Sequence, residues 1–389
     1  MKLSKYIIAA LMAPCLLASC DDDKLGPTIF PEVSDEPDPT SYTYKFDKWI
    51  NMNFRDIYNV DFKYLMEDVE ADMQYNLVPA TYDNARDLAL LTKYLWYDSY
   101  KELTGEDFIK SYGPRILHLV GSPAYNPQTG TETLGLAEGG LKVTLFKVNE
   151  MDLDDINMLN EYYFRTMHHE FGHILHQTKS YPTDFNLLST GRYDDSSWQS
   201  KQPGYVASLG FITPYASSQA REDFAETIAN YLTRTPDQME LILWMSQQGW
   251  TTGSDKAEGE LEDENADYYC YYYYDDPADP ESKHYFFYSQ EKAYNNYRMG
   301  MVGERGEYLT TVEEVEAYLD KMRETREIYP VEDKDKINGY DVIMQKQSIA
   351  RNWFTDQWKI SFDDLRNIVQ RRQKDFDIQA LRNEVEAIQ

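Results

Sequence analysis

Positive charge is scarce in this sequence. Its 389 residues include 67 aspartates and glutamates but only 38 lysines and arginines, so the formal net charge is −29. An acidic surface repels phosphate groups, which argues against a nucleic-acid partner, and it suits a soluble body exported from the cytoplasm. Beyond the N-terminal segment, the sequence also lacks an apolar run long enough to span a membrane. The hydrophobic fraction of 42% still suffices for one large domain or two ordinary ones.

The N-terminal segment has the plan of an export signal. Two lysines begin it, residues 7–17 are mostly apolar, and the small residues Ala18 and Ser19 stand directly before Cys20. This order resembles a bacterial lipobox, in which the cysteine carries lipid and becomes the first residue of the mature protein. We therefore expect residues 1–19 to be a lipoprotein signal peptide and Cys20 to be the lipidation site. An ordinary signal peptide or an N-terminal membrane anchor is the alternative.

An acidic segment containing several prolines follows this cysteine. Its composition predicts a flexible tether over residues 20–41. The run Asp21-Asp22-Asp23 resembles the surface-export signals of Bacteroidetes lipoproteins. That resemblance implies anchoring by lipid to the bacterial outer membrane, on the cell surface. A position on the periplasmic face is the alternative.

Cysteine is much scarcer than positive charge. The three cysteines are Cys15, Cys20 and Cys270. The first would leave with the signal peptide and the second would carry lipid, so the third has no partner for an intramolecular disulfide. The mature chain must therefore rely on its core for stability.

Hydrophobic periodicity predicts an α+β fold for the remaining sequence. Short apolar or alternating runs predict three strands, at residues 116–120, 133–137 and 141–148. Helical spacing of apolar residues predicts helices at residues 83–103, 154–177 and 236–249. We expect a catalytic domain over residues 42–250, an acidic, tyrosine-rich insertion or loop over 251–283, and a helical subdomain over 284–389. The tyrosine run at residues 268–274 is compatible with a substrate-binding or glycan-binding surface and equally with a strand.

The sequence His169-Glu170-x-x-His173 lies in the second of these predicted helices. Residues four apart share one face of a helix, so the two imidazoles can bind the same ion while Glu170 reaches a water on it. Catalytic zinc needs a third protein ligand and one open position. His176 is on the same face but lies about one turn beyond His173. One helical turn spans about 5.4 Å, which favours a polar wall or hydrogen-bond partner over a ligand. The metzincin pattern is excluded, because His176 and Lys179 stand where it needs glycine and histidine.

A carboxylate from a downstream helix is the better third ligand. Ser217 and Ser218 are predicted to cap this helix, and its apolar stripe leaves Glu222 and Glu226 four residues apart on a different face. Like carboxylates at this spacing repel each other unless a metal is present. We therefore predict that Glu222 binds zinc and that Glu226 accepts the outer N–H of a zinc histidine. Asp223 is a rival ligand, and a solvated acidic face is the alternative explanation.

These motifs resemble a known enzyme class. The order His-Glu-Phe-Gly-His, then a tyrosine seven residues before Glu-x-Phe-Ala-Glu, is similar to the gluzincin site of the anthrax lethal factor catalytic domain. The resemblance covers about 65 residues and implies a zincin-like catalytic domain with Zn²⁺ bound by His169, His173 and Glu222. It also implies that Glu170 is the catalytic base and that Tyr215 assists catalysis. With the lipobox and the tyrosine-rich body, the chain resembles the zinc-binding metallopeptidase lipoproteins of Bacteroidetes.

The sequence therefore predicts a zinc-dependent metallopeptidase, most simply an endopeptidase, that is anchored by lipid outside the cytoplasm and acts on peptides or proteins. The alternative is a surface lipoprotein that binds glycan or protein and keeps only a vestigial or structural zinc site. The presence of Glu170 favours the enzyme, because a structural site needs no general base. An amidase with the same zinc chemistry is a third possibility. The sequence does not indicate the substrate or the oligomeric state.

Overall fold

The computed structural model describes residues 36–66, 77–126, 131–133, 135–138, 142–201, 203–247, 250–251, 268–274, 276, 278–292, 299–302, 308–309, 317, 320, 329–330 and 337–389. The chain forms two compact units, Met1–Tyr44 and Lys45–Gln389. The predicted signal peptide, Cys20 and most of the predicted tether lie outside the described residues. In the short described part of the first unit, Asp38 accepts hydrogen bonds from the backbone and hydroxyl of Thr40, both at 2.8 Å. Of the helices in the described ranges, none is both long and apolar enough to cross a membrane.

The first half of the chain contributes a small mixed sheet. The strands of this part of the chain are β1 (Asp61–Lys63), β2 (Ile116–Leu119), β3 (Ala124–Asn126), β4 (Thr131–Thr133), β5 (Gly135–Glu138) and β6 (Lys142–Leu145). Four of them form one sheet in the order β1-β2-β6-β5, with β1, β2 and β6 parallel and β5 antiparallel to β6. β3 and β4 form a separate hairpin pair. β5 is thus an edge strand among the described residues. One side of its backbone pairs with β6, and the other side pairs with no described strand.

Helices make up most of the other described residues. They are α1 (Tyr44–Ile50), α2 (Tyr82–Leu91), α3 (Asp98–Thr104), α4 (Glu106–Tyr112), α5 (Ile156–Leu159), α6 (Arg165–Thr178), α7 (Asp184–Leu187), α8 (Pro203–Ser208), α9 (Ala220–Thr233), α10 (Pro236–Met245), α11 (Gly339–Trp353), α12 (Phe362–Asp375) and α13 (Ile378–Glu386). Wider π-helical turns continue four of the helical stretches, at Asn51–Arg55, Thr92–Tyr97, Asn160–Phe164 and Phe354–Trp358. The first of these turns leads into a further α-helical segment of three residues, Asp56–Tyr58. This combination of helices with a small sheet confirms the predicted α+β class.

Two helices that carry the predicted site residues, α6 and α9, pack directly against each other. The buried side chains of α6 include Met167, Phe171 and Leu175, and those of α9 include Phe224 and Ile228. Gly172 lies at the contact, where an added Cβ would be 3.5 Å from both Ala225 Cα and Ile228 Cδ1. Burial of the apolar stripes fixes the relative orientation of α6 and α9. In this orientation the histidines of α6 lie opposite the glutamates of α9.

The C-terminal helices share this core. Trp353 of α11 packs edge-on against Phe224 of α9, with ring centroids 5.2 Å apart. Leu365 of α12 and Val385 of α13 are fully buried in the same hydrophobic cluster. The helices predicted for the C-terminal part are therefore present from Gly339 onward. They pack into the hydrophobic cluster that also contains α6 and α9.

Two parts of the sequence interpretation are wrong. Helical structure was expected from about residue 284, but the chain there forms β9 (Lys283–Lys292), which pairs antiparallel with β8 (Tyr268–Tyr274). The tyrosine run is therefore a strand, which was one of the two alternatives predicted for it. It belongs to a sheet with β7 (Trp250–Thr251), β10 (Met299–Val302), β11 (Tyr308–Leu309) and β12 (Tyr329–Pro330). The boundaries at residues 250 and 283 stay predictions, because much of 248–267 lies outside the described residues.

The second error concerns the start of α9. Gln219, not Ser217 or Ser218, is the N-cap residue, and its side chain makes no capping hydrogen bond. The Ser217 hydroxyl instead donates to the Pro214 carbonyl at 2.7 Å, within the tight turn Tyr215–Ser217. The Ser217 hydroxyl therefore closes the preceding turn, and the buried Ser218 hydroxyl makes no hydrogen bond to the described residues.

Candidate metal centre

The helical stretch that holds the histidines starts at a side-chain cap. The Asp155 carboxylate accepts hydrogen bonds from the Asn157 and Met158 amides at 3.0 and 3.2 Å, which satisfies amides that have no partner at a helix start. α5, the π-helical turn Asn160–Phe164 and α6 then follow without a break. Because its apolar side packs into the core, α6 presents His169 and His173 toward α9.

Three side chains converge between these two helices. His169 Nε2 and His173 Nε2 are 3.0 Å apart, and Glu222 Oε2 lies 3.2 Å from the first and 2.9 Å from the second. One ligand atom from each lies within 4.8 Å of the others. Zinc with bonds of about 2.0–2.1 Å holds tetrahedral ligands about 3.3 Å apart. The donor set of two imidazoles and one carboxylate therefore fits catalytic zinc in both chemistry and size, and it leaves a fourth position.

Glu226 lies behind His169, on the side away from the other two ligand atoms. Its Oε1 is 2.8 Å from His169 Nδ1, the ring nitrogen that does not face Glu222. Its Oε2 accepts hydrogen bonds from the Thr213 hydroxyl at 2.6 Å and from Asn230 Nδ2 at 3.1 Å. A carboxylate in this position fixes the tautomer and orientation of a metal-binding imidazole.

The two carboxylates control the charge of the histidine between them. Burial lowers the pKa of His169, but hydrogen bonds to Glu222 and Glu226 outweigh it and raise that pKa to about 10. Burial likewise raises the pKa of Glu222, and the hydrogen bonds to His169 and His173 reverse this and hold it well below its usual range. The centre thus concentrates negative charge around imidazoles, which is the environment a divalent cation needs.

His176 contacts the imidazole of His173 and is not one of the three converging side chains. Its Nε2 is 2.8 Å from His173 Nδ1. Burial is the main cause that lowers the pKa of His176, to about 4, so this side chain is neutral and can accept the outer N–H of His173. Tyr181 packs edge-on against the His176 ring, with centroids 5.4 Å apart, which limits its motion.

Glu170 stands on the same helix between the two histidines. It is half-buried, and burial is the main cause that raises its pKa, against the opposing effect of His169 and His173. A carboxylate with a raised pKa takes up a proton more readily near neutral pH than an ordinary glutamate. This is the property that a general base beside the metal position requires.

Tyr215 is placed near the centre by the tight turn before α9. Its ring lies 5.7 Å from the His169 ring and 4.8 Å from the Trp198 ring, and 36% of the residue is exposed. Burial raises the pKa of Tyr215, and the charge of Glu222 and a hydrogen bond to it raise that pKa further. The hydroxyl therefore keeps its proton and can act as a hydrogen-bond donor.

Asp223, the rival ligand, points elsewhere. It forms a fully buried ion pair with Lys346 of α11 at 2.6 Å and accepts a hydrogen bond from the Tyr193 hydroxyl at 2.9 Å. Lys346 also donates to the Gly210 carbonyl at 2.8 Å and lies over the Phe211 ring. Asp223 thus anchors the ligand helix to α11 and does not face the histidines.

Another histidine of the same helix has a structural role. His168 is buried, with its Nδ1 2.9 Å from the Tyr100 hydroxyl, and burial lowers its pKa to about 3. It packs against the Trp96 and Tyr100 rings on the core side of α6. The helical period explains the difference, because residue 168 is a third of a turn away from residue 169.

The polar residues that hold the site together were not predicted from the sequence. Thr213 and Asn230 bind the Glu226 carboxylate, and Lys346 neutralises Asp223. Asn230 follows Glu226 by one helical turn, so its position on the same face was open to detection. Thr213 and Lys346 reach the site through the tertiary fold, and no local pattern marks them.

Comparisons with known proteins identify the family of the chain. A family model described as "Putative zinc-binding metallo-peptidase" matches residues 39–273, more than half of the chain, so the chain belongs to this family of zinc-binding metallopeptidases. The crystal structure of a protein given the same description, from Bacteroides caccae, is similar with a TM-score of 0.57 and 30% sequence identity. The alignment covers 90% of this chain and 98% of that one. No curated protein matches the chain.

Proposed function

We propose that the chain is a zinc-dependent endopeptidase whose metal is held by His169, His173 and Glu222. The observation that carries this proposal is the position of Glu170: a half-buried carboxylate with a raised pKa beside three converging metal-type ligands. A site built only to hold metal for stability needs no such group. When bound, zinc would activate water and polarise the carbonyl of the scissile peptide bond.

The protein's own groups would then move the proton. Glu170 accepts a proton from the attacking water as the new carbon–oxygen bond forms. It passes this proton to the leaving nitrogen as the carbon–nitrogen bond breaks, so the products are a carboxylate and an amine. Tyr215 donates a hydrogen bond to the oxygen that becomes negative in the transition state. Glu226 holds His169 in one tautomer throughout.

The substrate's backbone would be held by the sheet. β5 is an antiparallel edge strand among the described residues, and an extended peptide can extend such an edge by backbone hydrogen bonds. This mode of binding depends little on side chains, which suits an enzyme that cuts within a chain.

For localisation, we propose that Cys20 carries the lipid and that the body lies on the outer face of the bacterial outer membrane. The support is the order of residues 1–23 alone. Mass spectrometry of the purified full chain, compared with Cys20→Ala, tests the lipid. Digestion by external protease in intact cells distinguishes surface exposure from the periplasmic alternative.

The enzymatic proposal is tested by measuring zinc content and cleavage together. Wild-type protein and Glu170→Gln are assayed for metal by mass spectrometry and for new N-termini in a proteome-derived peptide library. We expect about one zinc in both proteins, because three ligands remain, and cleavage by the wild type alone. If both proteins bind zinc and neither one cleaves peptides, the alternative of a glycan-binding or protein-binding lipoprotein replaces the proposal. Hydrolysis of non-peptide amides alone would indicate an amidase.

A further inference from the structure

Thr213 is a buried threonine that contacts two separate parts of the site. It is 7% exposed and lies just before the turn that carries Tyr215. Its hydroxyl donates to Glu226 Oε2 at 2.6 Å and accepts from the Ala216 backbone amide at 3.1 Å. A hydroxyl has one proton to donate, so Thr213 donates that proton to Glu226 and accepts the Ala216 hydrogen bond with a lone pair of its oxygen.

Through its contact with Glu226, Thr213 affects the position of the candidate zinc ligand His169 indirectly. Glu226 holds His169 through its Oε1, and Thr213 and Asn230 hold its Oε2. These contacts restrain rotation of the carboxylate, so the oxygen that faces His169 stays in place. Hydrogen bonds to a charged and buried acceptor are among the stronger ones in proteins.

The contact with the turn acts on the candidate oxyanion donor. The backbone of this turn is closed by hydrogen bonds from Ser217 to Pro214 and from Ser218 to Tyr215, both at 3.0 Å. The Thr213 hydroxyl adds the amide of Ala216, directly after Tyr215. The position of the tyrosine is therefore tied to the same oxygen atom that restrains Glu226.

We propose that Thr213 is a positioning residue that sets the zinc histidine and the tyrosine in a fixed relation to each other. Its effect on zinc binding follows from the metal centre alone, while its effect on turnover rests on the proposed function. It is not one of the three converging ligands, and it acts through Glu226 and the turn.

The test removes the hydroxyl while keeping the shape. Thr213→Val loses both hydrogen bonds, Thr213→Ser keeps them, and Thr233→Val serves as the matched control. Thr233 is also buried and is the last residue of α9, but its hydroxyl donates to the Ala229 carbonyl of its own helix, at 2.8 Å. Zinc affinity of each full-length protein is measured by competition with a chromogenic chelator, and kcat and KM are measured on a peptide that the wild type cleaves.

We expect Thr213→Val to bind zinc about 10–100-fold more weakly, as is typical for the loss of support behind a metal ligand. We also expect its kcat to fall with little change in KM, because the tyrosine acts in the transition state. Thr213→Ser restores both values, and Thr233→Val leaves both near those of the wild type.

Two results would overturn the inference: wild-type zinc affinity and kcat in Thr213→Val, or equal losses in Thr213→Val and Thr233→Val, which would show a general packing effect. If Thr213→Val does not fold, Thr213→Ala is judged by the same outcomes. If the wild type binds zinc but cleaves no peptide, the proposed function falls, and the chelator competition still decides the role of Thr213.

Discussion

The buried pair between Lys346 and Asp223 should be one of the most sensitive points of the fold. The Lys346 side chain is 2% exposed and that of Asp223 is fully buried, and their charged atoms are 2.6 Å apart. Lys346→Met keeps most of the apolar stem but leaves Asp223 without its cation. Removal of one partner of a buried ion pair costs about 3–5 kcal/mol, because the other charge stays buried without compensation.

This cost should appear as a lower melting temperature. For a compact unit of this size, it corresponds to about 4–7 °C at an unfolding entropy of about 2.1 cal/mol/K per residue. The loss should also depend on pH. Burial raises the pKa of Asp223 to about 6 even beside Lys346, and without the lysine that pKa is higher still. At pH 5 the carboxyl group of the variant is therefore neutral, and the difference from wild type should shrink as pH falls from 7 to 5.

The assay is differential scanning calorimetry at both pH values, with Lys374→Met as the control, since Lys374 is exposed on α12. The double variant Lys346→Met/Asp223→Asn should recover part of the loss at pH 7, because no buried charge remains. A melting temperature for Lys346→Met equal to that of Lys374→Met at pH 7 would refute this account. A loss that stays constant between pH 7 and pH 5 would refute the assignment to Asp223.

Three further outcomes follow from the site and its helices. Glu226→Gln should weaken zinc binding about 10–100-fold while the fold is kept, because an amide cannot hold His169 as a carboxylate does; equal affinity in the chelator competition would contradict this. Zinc binding at pH 7 should release about one proton, because the pKa of about 10 keeps His169 protonated in the apo protein and the metal must displace that proton. Calorimetry in buffers of different ionisation enthalpy measures this proton release, and a binding enthalpy that does not depend on the buffer would contradict the prediction. Gly172→Ala should be neutral or stabilising by up to about 1 kcal/mol, because an added Cβ makes ordinary contacts at 3.5 Å with α9 and alanine favours a helix; a marked loss of stability in thermal unfolding would contradict it.

The features of the fold that were predictable from sequence are the local ones. The strands at β2 and β6, and the helices around His169 and Glu222, follow from the spacing of apolar side chains along short segments. The meeting of His169, His173 and Glu222 was inferred from the ligand chemistry of zinc, and the geometry places these three side chains together.

The features that were missed depend on contacts between distant segments. β9 was taken for a helix although its aromatic residues Tyr285, Phe286 and Phe287 favour a strand, and its pairing partner β8 decides the outcome. Ser217 was assigned to the helix cap because its type fits, but the preceding turn uses its hydroxyl. Lys346 lies more than a hundred residues from Asp223, and a lone lysine in a helical pattern carries no sign that it is buried.

The proposed enzyme depends on a single zinc site formed by His169, His173 and Glu222. X-ray absorption at the zinc edge, combined with anomalous diffraction from crystals of the zinc-loaded protein, tests it directly. We predict one zinc ion within about 2.0–2.2 Å of His169 Nε2, His173 Nε2 and a Glu222 oxygen, with a non-protein ligand in the fourth position. A zinc ion bound by His176 or Asp223 in place of Glu222, or no zinc between α6 and α9, would contradict the account.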